Sequence, residues 1–322
     1  MSPDVTGRIR RAAVSRLKGL RRRVTRLRGW TPYPAVETPT CEVCGSDDRV
    51  VVANRMHLDM AYQTVLCGDC GLVYISPRPD EEAFVHLYEV LMPDLYDSAP
   101  GPEWRETEPT PRGREVYAFL QDRTDLASCR GIFDVGCGGG GLLLAFADEL
   151  EAGGLSGCAL GGCDLSPKFG GYEIERAGRT IAVLHAAAES LGPELAAYSV
   201  FVLYDVVEHL VHPKAFLARL RDRTPPDARI FVSTSCLDNY ELIPPAGWEA
   251  YYLRLVHPYT FTRYSLELML AAAGWQVDAW AQGAKGDQWV LASKQRPLPV
   301  RPDPRRALET LEFIERYKER CR

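Results

Sequence analysis

A glycine-rich turn between an apolar strand and a helix is the feature that most constrains the fold of this 322-residue chain. The strand, at residues 132–135, carries one acid, Asp134, and an apolar helical segment follows from residue 142. The turn between them consists of Gly136, Cys137, Gly138, Gly139, Gly140 and Gly141. Glycines allow the backbone to approach a ligand closely, and a helix N-terminus attracts negative groups. The sequence therefore predicts a nucleotide-binding turn at the end of a β-strand.

The segments around this turn alternate between strand and helix. Between residues 114 and 294, apolar strand-like runs are followed by helix-like segments, which is typical of consecutive βαβ units. Such units form a parallel, doubly wound sheet with helices on both faces. The predicted fold class is therefore α/β, with a Rossmann-like sheet.

Two classes of nucleotide compete for this turn. Gly136, Gly138 and Gly141 satisfy the pattern G-x-G-x-x-G, which by itself suggests a dinucleotide such as NAD. Asp134 lies two residues before the first glycine, where its carboxylate can meet an ammonium group that a dinucleotide lacks. Asp164, after the next predicted strand, is expected of either site. The acid at position 134 therefore favours a cationic nucleotide.

The turn also fills every position of D-x-G-x-G-x-G, and it resembles motif I of the class I S-adenosylmethionine (SAM)-dependent methyltransferases. The resemblance, which covers roughly residues 114–294, implies that Asp164 holds the ribose hydroxyls of SAM and that Glu189 lies beside adenine. The family often has Asp before that Glu, where this chain has Ala188. The cofactor-binding residues implied by the resemblance are Asp134, Gly136, Cys137, Gly138, Gly140, Asp164, Leu165, Ala188, Glu189 and Asp205.

Two histidines are the candidates for the chemistry of the reaction. The string Asp205-Val206-Val207-Glu208-His209-Leu210 resembles the fourth motif of the family, and His257 lies in a loop that resembles the histidine-bearing substrate loop of its sugar-methylating members. A histidine can remove the proton of an acceptor hydroxyl near neutral pH. We expect His257, or second His209, to be the general base. The alternative is that both only pack or support turns.

Four cysteines form two C-x2-C pairs, each followed by glycine. Cys41 and Cys44 are separated from Cys67 and Cys70 by 22 residues. Two such turns provide the four thiolates of a tetrahedral structural zinc site, which leaves no open position for catalytic water. A redox pair, an iron–sulfur cluster and chance are the alternatives. The sequence therefore predicts a Zn²⁺ ion with a role in folding.

The cysteine module followed by Ser76-Pro77-Arg78-Pro79 resembles a subgroup of these methyltransferases that acts on nucleotide-linked deoxysugars and on natural-product or surface-glycan intermediates. Its sugar C-methyltransferases carry an added C-terminal domain. Because the present chain ends at Arg322, we expect O- or N-methylation of a small-molecule acceptor. Aromatic residues expected to line the acceptor pocket are Trp248, Tyr251, Tyr252 and Tyr259, with His86 and Tyr88 facing it from the module.

The charge distribution is asymmetric. Residues 1–30 contain ten Lys or Arg residues and one acid, about +9, so that the rest of the chain carries about −14 within a net charge of −5. Residues 7–30 fit a basic amphipathic helix, for which peripheral contact with an anionic membrane, a solubilising tail and a docking helix remain open. Without an export signal, the ten cysteines indicate a cytoplasmic location.

Three other functions compete with small-molecule methylation. An RNA methyltransferase would use the zinc module and the basic arm to bind RNA, but the acidic body and the absence of an N-P-P-Y-type motif make nucleic acid an unfavoured partner. A non-catalytic SAM-binding scaffold and an NAD dehydrogenase are the other two. The sequence does not indicate an oligomeric state.

The predicted domain organisation has five parts. A basic amphipathic arm occupies residues 1–32, and the zinc-binding module occupies residues 33–90. A linker or lid follows at residues 91–113, and the SAM-binding methyltransferase domain at residues 114–295. A tail with a charged helix completes the chain at residues 296–322.

Overall fold

The computed structural model describes residues 35–57, 60–86, 106–242, 253–284 and 286–321. The predicted arm at residues 7–30, the aromatic residues Trp248, Tyr251 and Tyr252, and Tyr88 lie outside the described residues. Within the described part of the chain, no helix combines the length and the apolar character needed to cross a membrane.

The N-terminal module is a small antiparallel β-structure with one short helix. Its elements are β1 (Ala35–Val36), β2 (Arg49–His57), β3 (Met60–Cys67), β4 (Val73–Ile75), β5 (Arg78–Pro79) and α1 (Glu81–His86). Strands β2, β3 and β4 pair in that order, and β1 pairs with β5. All three residues of β4 are buried, because both faces of the small sheet are covered by other parts of the chain.

The C-terminal region contains the remaining elements. In chain order they are α2 (Pro111–Gln121), β6 (Gly131–Val135), α3 (Gly141–Ala152), β7 (Ala159–Asp164), β8 (Tyr172–Arg176), β9 (Arg179–His185), β10 (Val200–Tyr204), α4 (Pro213–Arg223), β11 (Arg229–Ser235), β12 (Tyr259–Thr260), α5 (Arg263–Ala273), β13 (Trp275–Gln282), β14 (Asp287–Lys294) and α6 (Pro304–Cys321). Short 3₁₀ turns occupy Ala188–Ser190, Pro193–Ala197 and Leu237–Leu242.

The large sheet has eight strands in the order β13-β14-β11-β10-β6-β7-β9-β8. The five central strands are parallel, whereas β14, β13 and β8 pair antiparallel with their neighbours. Strand β6 lies where the strand order reverses, and in such sheets the ligand crevice forms at the carboxyl ends of the strands at that point. The predicted α/β, Rossmann-like fold class is confirmed, with the glycine turn at the reversal.

The central strands are apolar throughout because helices cover both faces of the sheet. In β6, Ile132 packs into the core that contains α2 and α3, and Phe133 packs into the core that contains α4 and α5. Strand β10 divides in the same way, with Val202 on the first side and Phe201 on the second. Successive side chains of a strand point to opposite faces, so a continuous apolar run fits two cores at once.

Two C-terminal elements complete the small N-terminal sheet. Strand β12 pairs antiparallel with β4, with Tyr259 opposite Tyr74. Helix α6 packs on the other face, where Ile314 joins Leu66 and Val73 in a third apolar core. Segments from both ends of the described chain therefore build one small layer against the large sheet.

Candidate functional site

Three glycines with positive φ shape the turn after β6. Gly136, Gly138 and Gly140 have φ angles of 71°, 52° and 85°, which L-residues with a side chain rarely adopt. The backbone N–H groups of Gly136 and Cys137 both donate to the carbonyl of Cys163, over 2.8 and 3.0 Å. A Cβ atom at Gly138 would meet no atom within 4 Å. The turn is therefore tied to β7 on one side and open on the other.

Two acids lie beside this turn, the buried Asp134 and the partly buried Asp164. Asp164 accepts hydrogen bonds from the N–H groups of Gly138 at 2.9 Å and Ser166 at 2.8 Å. Asp134 is 1% exposed, and its Oδ1 has no hydrogen-bond partner. Burial and the Asp164 carboxylate hold the pKa of Asp134 well above its ordinary value, and burial also raises the pKa of Asp164. Neither acid pairs with a Lys or Arg among the described residues.

A cavity of about 300 Å³ opens at the carboxyl ends of β6, β7 and β10. Five of the sequence-predicted cofactor residues contribute to its wall, namely Gly136, Asp164, Leu165, Glu189 and Asp205. Burial raises the pKa of Glu189. The described wall therefore combines the turn with the carboxylates of three predicted residues, each of which lies at or after the end of a different strand.

The other predicted cofactor residues lie around the cavity and not on its wall. Asp134 and Cys137 are buried behind the turn. Gly140 faces β8, where an added Cβ would lie 2.8 Å from Ile174. Ala188 begins the turn Ala188–Ser190, and the neighbouring Ala187 contributes to the wall.

Helix α1 forms a wall of the cavity that the sequence did not predict. Glu81, Phe84 and Val85 line the cavity, and their spacing of three and four residues places them on one face of the helix. His86, which the sequence placed at this cleft, is exposed and lies off that face. The signal in the sequence was the amphipathic spacing of residues 81–85, immediately after the Ser-Pro-Arg-Pro stretch.

Arg78 of that stretch connects the module to the cavity edge. Its Nη2 donates to the carbonyl of Val211, a residue of the cavity wall, at 2.8 Å. Its guanidinium lies 5.1 Å from the ring centroid of Tyr259. Tyr259 is itself buried between the module and the large sheet, and its hydroxyl donates to the carbonyl of Val211 at 3.1 Å. Tyr259 is therefore an interface residue.

Asp205 occupies an unusual backbone position at the end of β10. Its φ of 54° lies in the left-handed region, which costs a non-glycine residue about 1–3 kcal/mol and occurs most often at functional sites. Its N–H donates to the carbonyl of Ser233, and it lines the cavity. The backbone turn holds a carboxylate at the mouth of the site.

The two predicted catalytic histidines lie against each other. The ring centroids of His209 and His257 are 4.6 Å apart, edge to face. Nδ1 of His209 lies 2.7 Å from the carbonyl oxygen of Val256. This nitrogen must be the N–H donor, so Nε2 carries the lone pair in the neutral ring. Burial lowers the pKa of His209 to about 4 and that of His257 further.

Only His209 of this pair reaches the cavity wall. His257 is 5% exposed, and its Nδ1 has no hydrogen-bond partner. Glu208, which the sequence analysis did not single out, is buried beside them, and burial together with the Asp205 carboxylate raises its pKa to about 8. The structure therefore adds a buried acid to the two imidazoles.

The four cysteines of the two C-x2-C pairs come together at one point of the module. The Sγ atoms of Cys41 and Cys70 are 3.5 Å apart, as are those of Cys44 and Cys67. Gly45 and Gly71 have φ angles of 78° and 71°, so each glycine supplies the left-handed residue that closes its turn. The four sulfur atoms are close enough to share one ion.

The sheet order, the positive-φ glycine turn and the two acids beside it define a Rossmann-like nucleotide-binding protein. A model of the family described as "Methyltransferase domain" matches residues 101–279, more than half of the chain. The chain therefore belongs to the methyltransferase family, which confirms its resemblance to the class I SAM-dependent methyltransferases. No curated protein matches the sequence.

Several solved structures are similar to part of this chain. The mitomycin 7-O-methyltransferase MmcR is 18% identical, with a TM-score of 0.44 over 56% of this chain and 52% of its own. CalO1, a methyltransferase in calicheamicin biosynthesis solved with SAH, is 17% identical, with a TM-score of 0.43 over 57% and 54%. CcbJ from Streptomyces caelestis is 15% identical, with a TM-score of 0.45 over 66% and 98%. The chain thus spans about half the length of the first two.

Proposed function

We propose that the cavity beside the glycine turn binds SAM and that the protein transfers its methyl group to a small molecule. The observation that carries the proposal is the buried acid Asp134, whose Oδ1 has no hydrogen-bond partner, beside the partly buried Asp164; neither acid pairs with a Lys or Arg among the described residues. A buried carboxylate is stable only when a cation or hydrogen-bond donors compensate it. SAM supplies both, since it has an ammonium group, a sulfonium and two ribose hydroxyls. A dinucleotide has no ammonium group to place near Asp134.

When bound, SAM supplies a methyl group on a positively charged sulfur, which is already a strong electrophile. The work left to the protein is to align the acceptor and to dispose of its proton. Asp164 and the turn would hold the nucleoside, Glu189 would lie near the adenine, and Asp205 would face the reactive end. This assignment places the reacting groups beside His209, on the same wall of the cavity.

We propose that the imidazole pair His209 and His257 activates the acceptor. The sequence indicates one of them as the general base, with His257 preferred. The position of His209 on the cavity wall and its Nε2 lone pair support His209 as the group that meets the acceptor. His257 would then orient His209 through the edge-to-face contact. Both rings remain neutral at physiological pH because burial lowers their pKa values.

The acceptor class is proposed from the module. The resemblance of the C-x2-C pairs and the Ser-Pro-Arg-Pro stretch to the sugar and natural-product subgroup favours a sugar, a nucleotide-linked sugar or a glycan or natural-product intermediate. A hydroxyl or amine acceptor fits the imidazole pair, because either group must lose a proton on methylation. The contact of Arg78 with the cavity edge supports a role of that stretch in shaping the acceptor end.

We further propose that Cys41, Cys44, Cys67 and Cys70 bind a structural Zn²⁺ ion. In a tetrahedral Zn–thiolate site with bonds of about 2.3 Å, the sulfur atoms lie about 3.8 Å apart, near the 3.5 Å of the two measured pairs. With four protein ligands the ion would serve the fold of the module. A cytoplasmic location, which suits reduced thiolates, and peripheral membrane contact through residues 7–30 remain predictions from the sequence.

Thermal-shift titration tests the cofactor. SAM and its product S-adenosylhomocysteine should each raise the melting temperature, and NAD should not, because a ligand stabilises only the state that binds it. An Asp164→Ala variant should lose the response. A shift with NAD alone would overturn the proposal.

Mass spectrometry tests the acceptor. Incubation with SAM and a panel of nucleotide sugars, free sugars and glycan fragments should yield S-adenosylhomocysteine together with one acceptor that has gained a single CH₂ unit. The Asp164→Ala variant is the control for contaminating enzymes. SAM binding without any methylated product across the panel and a metabolite extract would favour a non-catalytic scaffold.

A further inference from the structure

A second group of polar side chains lies next to the cofactor cavity. Glu208 and His209 follow β10, and His257 approaches them from the loop before β12. One donor atom from each of the three residues lies within 4.8 Å of the other two. Residues 49 positions apart in the chain thus converge on one point at the reactive end of the site.

Two of these groups are buried, and each has one polar atom without a hydrogen-bond partner. Glu208 is 2% exposed and His257 is 5% exposed, and neither Oε2 of Glu208 nor Nδ1 of His257 has a hydrogen-bond partner. A buried polar atom without a partner costs about 1–3 kcal/mol, and such atoms in folded proteins often mark the place of an ion or a water. Here the two unpartnered atoms belong to the same cluster.

A hydrogen bond on the far side of its ring fixes the orientation of the third group, His209. Nδ1 of His209 donates to the carbonyl of Val256, which leaves Nε2 in the lone-pair form. Metal-binding histidines nearly always donate their second nitrogen to a carbonyl or carboxylate in this way, which sets both the tautomer and the ring orientation. The carbonyl comes from the residue next to His257, so one loop positions both imidazoles.

We propose that Glu208, His209 and His257 hold a divalent transition-metal ion whose open coordination positions take the acceptor hydroxyl. This inference rests on the proposed function only for the identity of that last ligand. Two imidazoles and one carboxylate suit zinc, iron, cobalt or manganese, and they disfavour Mg²⁺ and Ca²⁺, which prefer oxygen ligands. Three protein ligands leave the open position that catalytic sites have and that the Cys₄ cluster lacks.

The distances require only a small adjustment. Donors about 2.1 Å from a metal are at most about 4.2 Å apart, against the 4.8 Å limit of the cluster. Movements of a few tenths of an ångström by each side chain close that difference. Two carboxylates and one guanidinium set the local charge: Asp205 lies near Glu208, and Arg254 lies near both imidazoles.

This arrangement replaces the direct contact between His209 and the acceptor that is proposed above: the histidines activate the acceptor through the ion and do not take up its proton. Coordination makes the hydroxyl more acidic, and its proton passes to the Asp205 carboxylate on the cavity wall or to water. The oxygen forms a bond to the methyl carbon while the carbon–sulfur bond breaks, its electron pair remaining on sulfur in S-adenosylhomocysteine. The metal keeps its oxidation state.

Cobalt binding tests the site without a substrate. Co²⁺ is added to the full chain as purified, with the Cys₄ cluster loaded with zinc, and the visible spectrum is recorded. We expect one Co²⁺ per chain with d–d bands and no thiolate-to-cobalt charge-transfer band. Glu208→Gln and His257→Ala should each weaken this binding at least tenfold, whereas the matched variant His212→Ala, whose ring is exposed three residues after His209, should bind as wild type.

Two outcomes would overturn the proposal. One is the absence of d–d bands, or their appearance only with the sulfur charge-transfer band, in the wild type. The other is unchanged Co²⁺ affinity in Glu208→Gln and His257→Ala. If either variant fails to fold, X-ray absorption of cobalt on the wild-type protein decides, because imidazole scattering supports the site and a sulfur-only shell contradicts it.

The metal site and the proposed function fail separately. SAM affinity, measured by calorimetry on the same samples, should remain within about threefold of wild type in all three variants. If the protein binds the metal but not SAM, the proposed function is wrong and the proposed metal site stands. Methyl transfer that proceeds at full rate after dialysis against a chelator, with no cobalt bound, would remove the site and leave the function.

Discussion

At the scale of single residues, the proposed cofactor site contains one acid that the ligand-free protein does not compensate. Asp134 is fully enclosed, with an unpartnered oxygen and a second carboxylate nearby. Burying an ionised group without a partner is unfavourable. An acid that destabilises the ligand-free protein, such as Asp134, is explained if the bound ligand supplies its missing partner.

Asp134→Asn should therefore stabilise the ligand-free protein and weaken SAM binding. We expect SAM affinity to fall at least tenfold, and the melting temperature without ligand to rise by at least about 2 °C, since about 1 kcal/mol corresponds to 2–4 °C in a domain of this size. Differential scanning fluorimetry with and without S-adenosylhomocysteine measures both effects. Asp278→Asn is the matched control, because Asp278 is a partly exposed acid paired with Arg229 at 3.4 Å.

The same substitution predicts a pH dependence. The pKa of Asp134 is raised in the folded state, so the folded protein retains its proton at pH values where the unfolded chain has lost it. The contribution of Asp134 to the stability of the wild type should therefore decrease as the pH rises above the ordinary pKa of an aspartate. The stability gain of Asp134→Asn should shrink towards acid pH. A gain that grows on acidification would contradict the assignment.

His257→Ala should separate catalysis from cofactor binding. His257 does not line the cofactor cavity, so we expect SAM affinity within about threefold of wild type and turnover reduced at least about 100-fold, the usual contribution of an activating group. His212→Ala should retain turnover. Equal turnover in wild type and His257→Ala would mean that His257 has only a packing role.

At the scale of elements, the two C-x2-C-G turns look alike in the sequence but differ in their surroundings. Both glycines have left-handed φ angles. A Cβ at Gly45 would meet nothing within 4 Å, whereas one at Gly71 would lie 3.1 Å from the Cα of Ala307 and 3.3 Å from Oγ1 of Thr310 in α6. The second turn therefore serves as the docking point of the last helix.

Gly71→Ala should destabilise the protein more than Gly45→Ala does. The left-handed backbone costs alanine about 1–2 kcal/mol at both positions, and at position 71 the methyl group also displaces α6. We expect an additional 1–3 kcal/mol, typical of overpacking, measured by urea unfolding of the two variants side by side. An equal loss of unfolding free energy in the two variants would mean that α6 moves aside for the methyl group at no energetic cost.

At the scale of the whole molecule, the N-terminal module is part of the cofactor site. Helix α1 lines the cavity, β12 extends the small sheet, and α6 covers its other face. Hydrogen bonds also connect the module to α4: Nζ of Lys214 donates to the carbonyl of Glu42 at 2.8 Å. The state of the four cysteines should therefore affect a ligand bound at the large sheet.

Cys44→Ala should remove zinc and weaken SAM binding together. Loss of a ligand opens the proposed zinc site, and the disordered module would release α1 from the cavity. We expect loss of one zinc per chain by elemental analysis, a lower melting temperature and at least fivefold weaker SAM binding. Cys158→Ala, at a buried cysteine outside the cluster, should keep its zinc. If the zinc-free protein binds SAM as tightly as wild type, the fold of the module does not influence the cofactor cavity.

The sequence by itself determined the fold class and the glycine turn. Both are local or periodic features: an apolar strand, glycines at fixed offsets and an acid two residues earlier depend on the backbone within a few residues. The paired cysteines were visible for the same reason.

Only the tertiary structure decided which distant residues share the site. In the sequence Glu208 is one residue of a motif, and only the folded chain brings His257 close to it. The cavity wall formed by Glu81, Phe84 and Val85 depends on how the module packs against the large sheet. The pairing of β12 with β4, and thus the placement of Tyr259 in an interface, likewise has no local signal. Such contacts join segments far apart in the chain, and they form because each segment buries its apolar face against another, which no short stretch of sequence encodes.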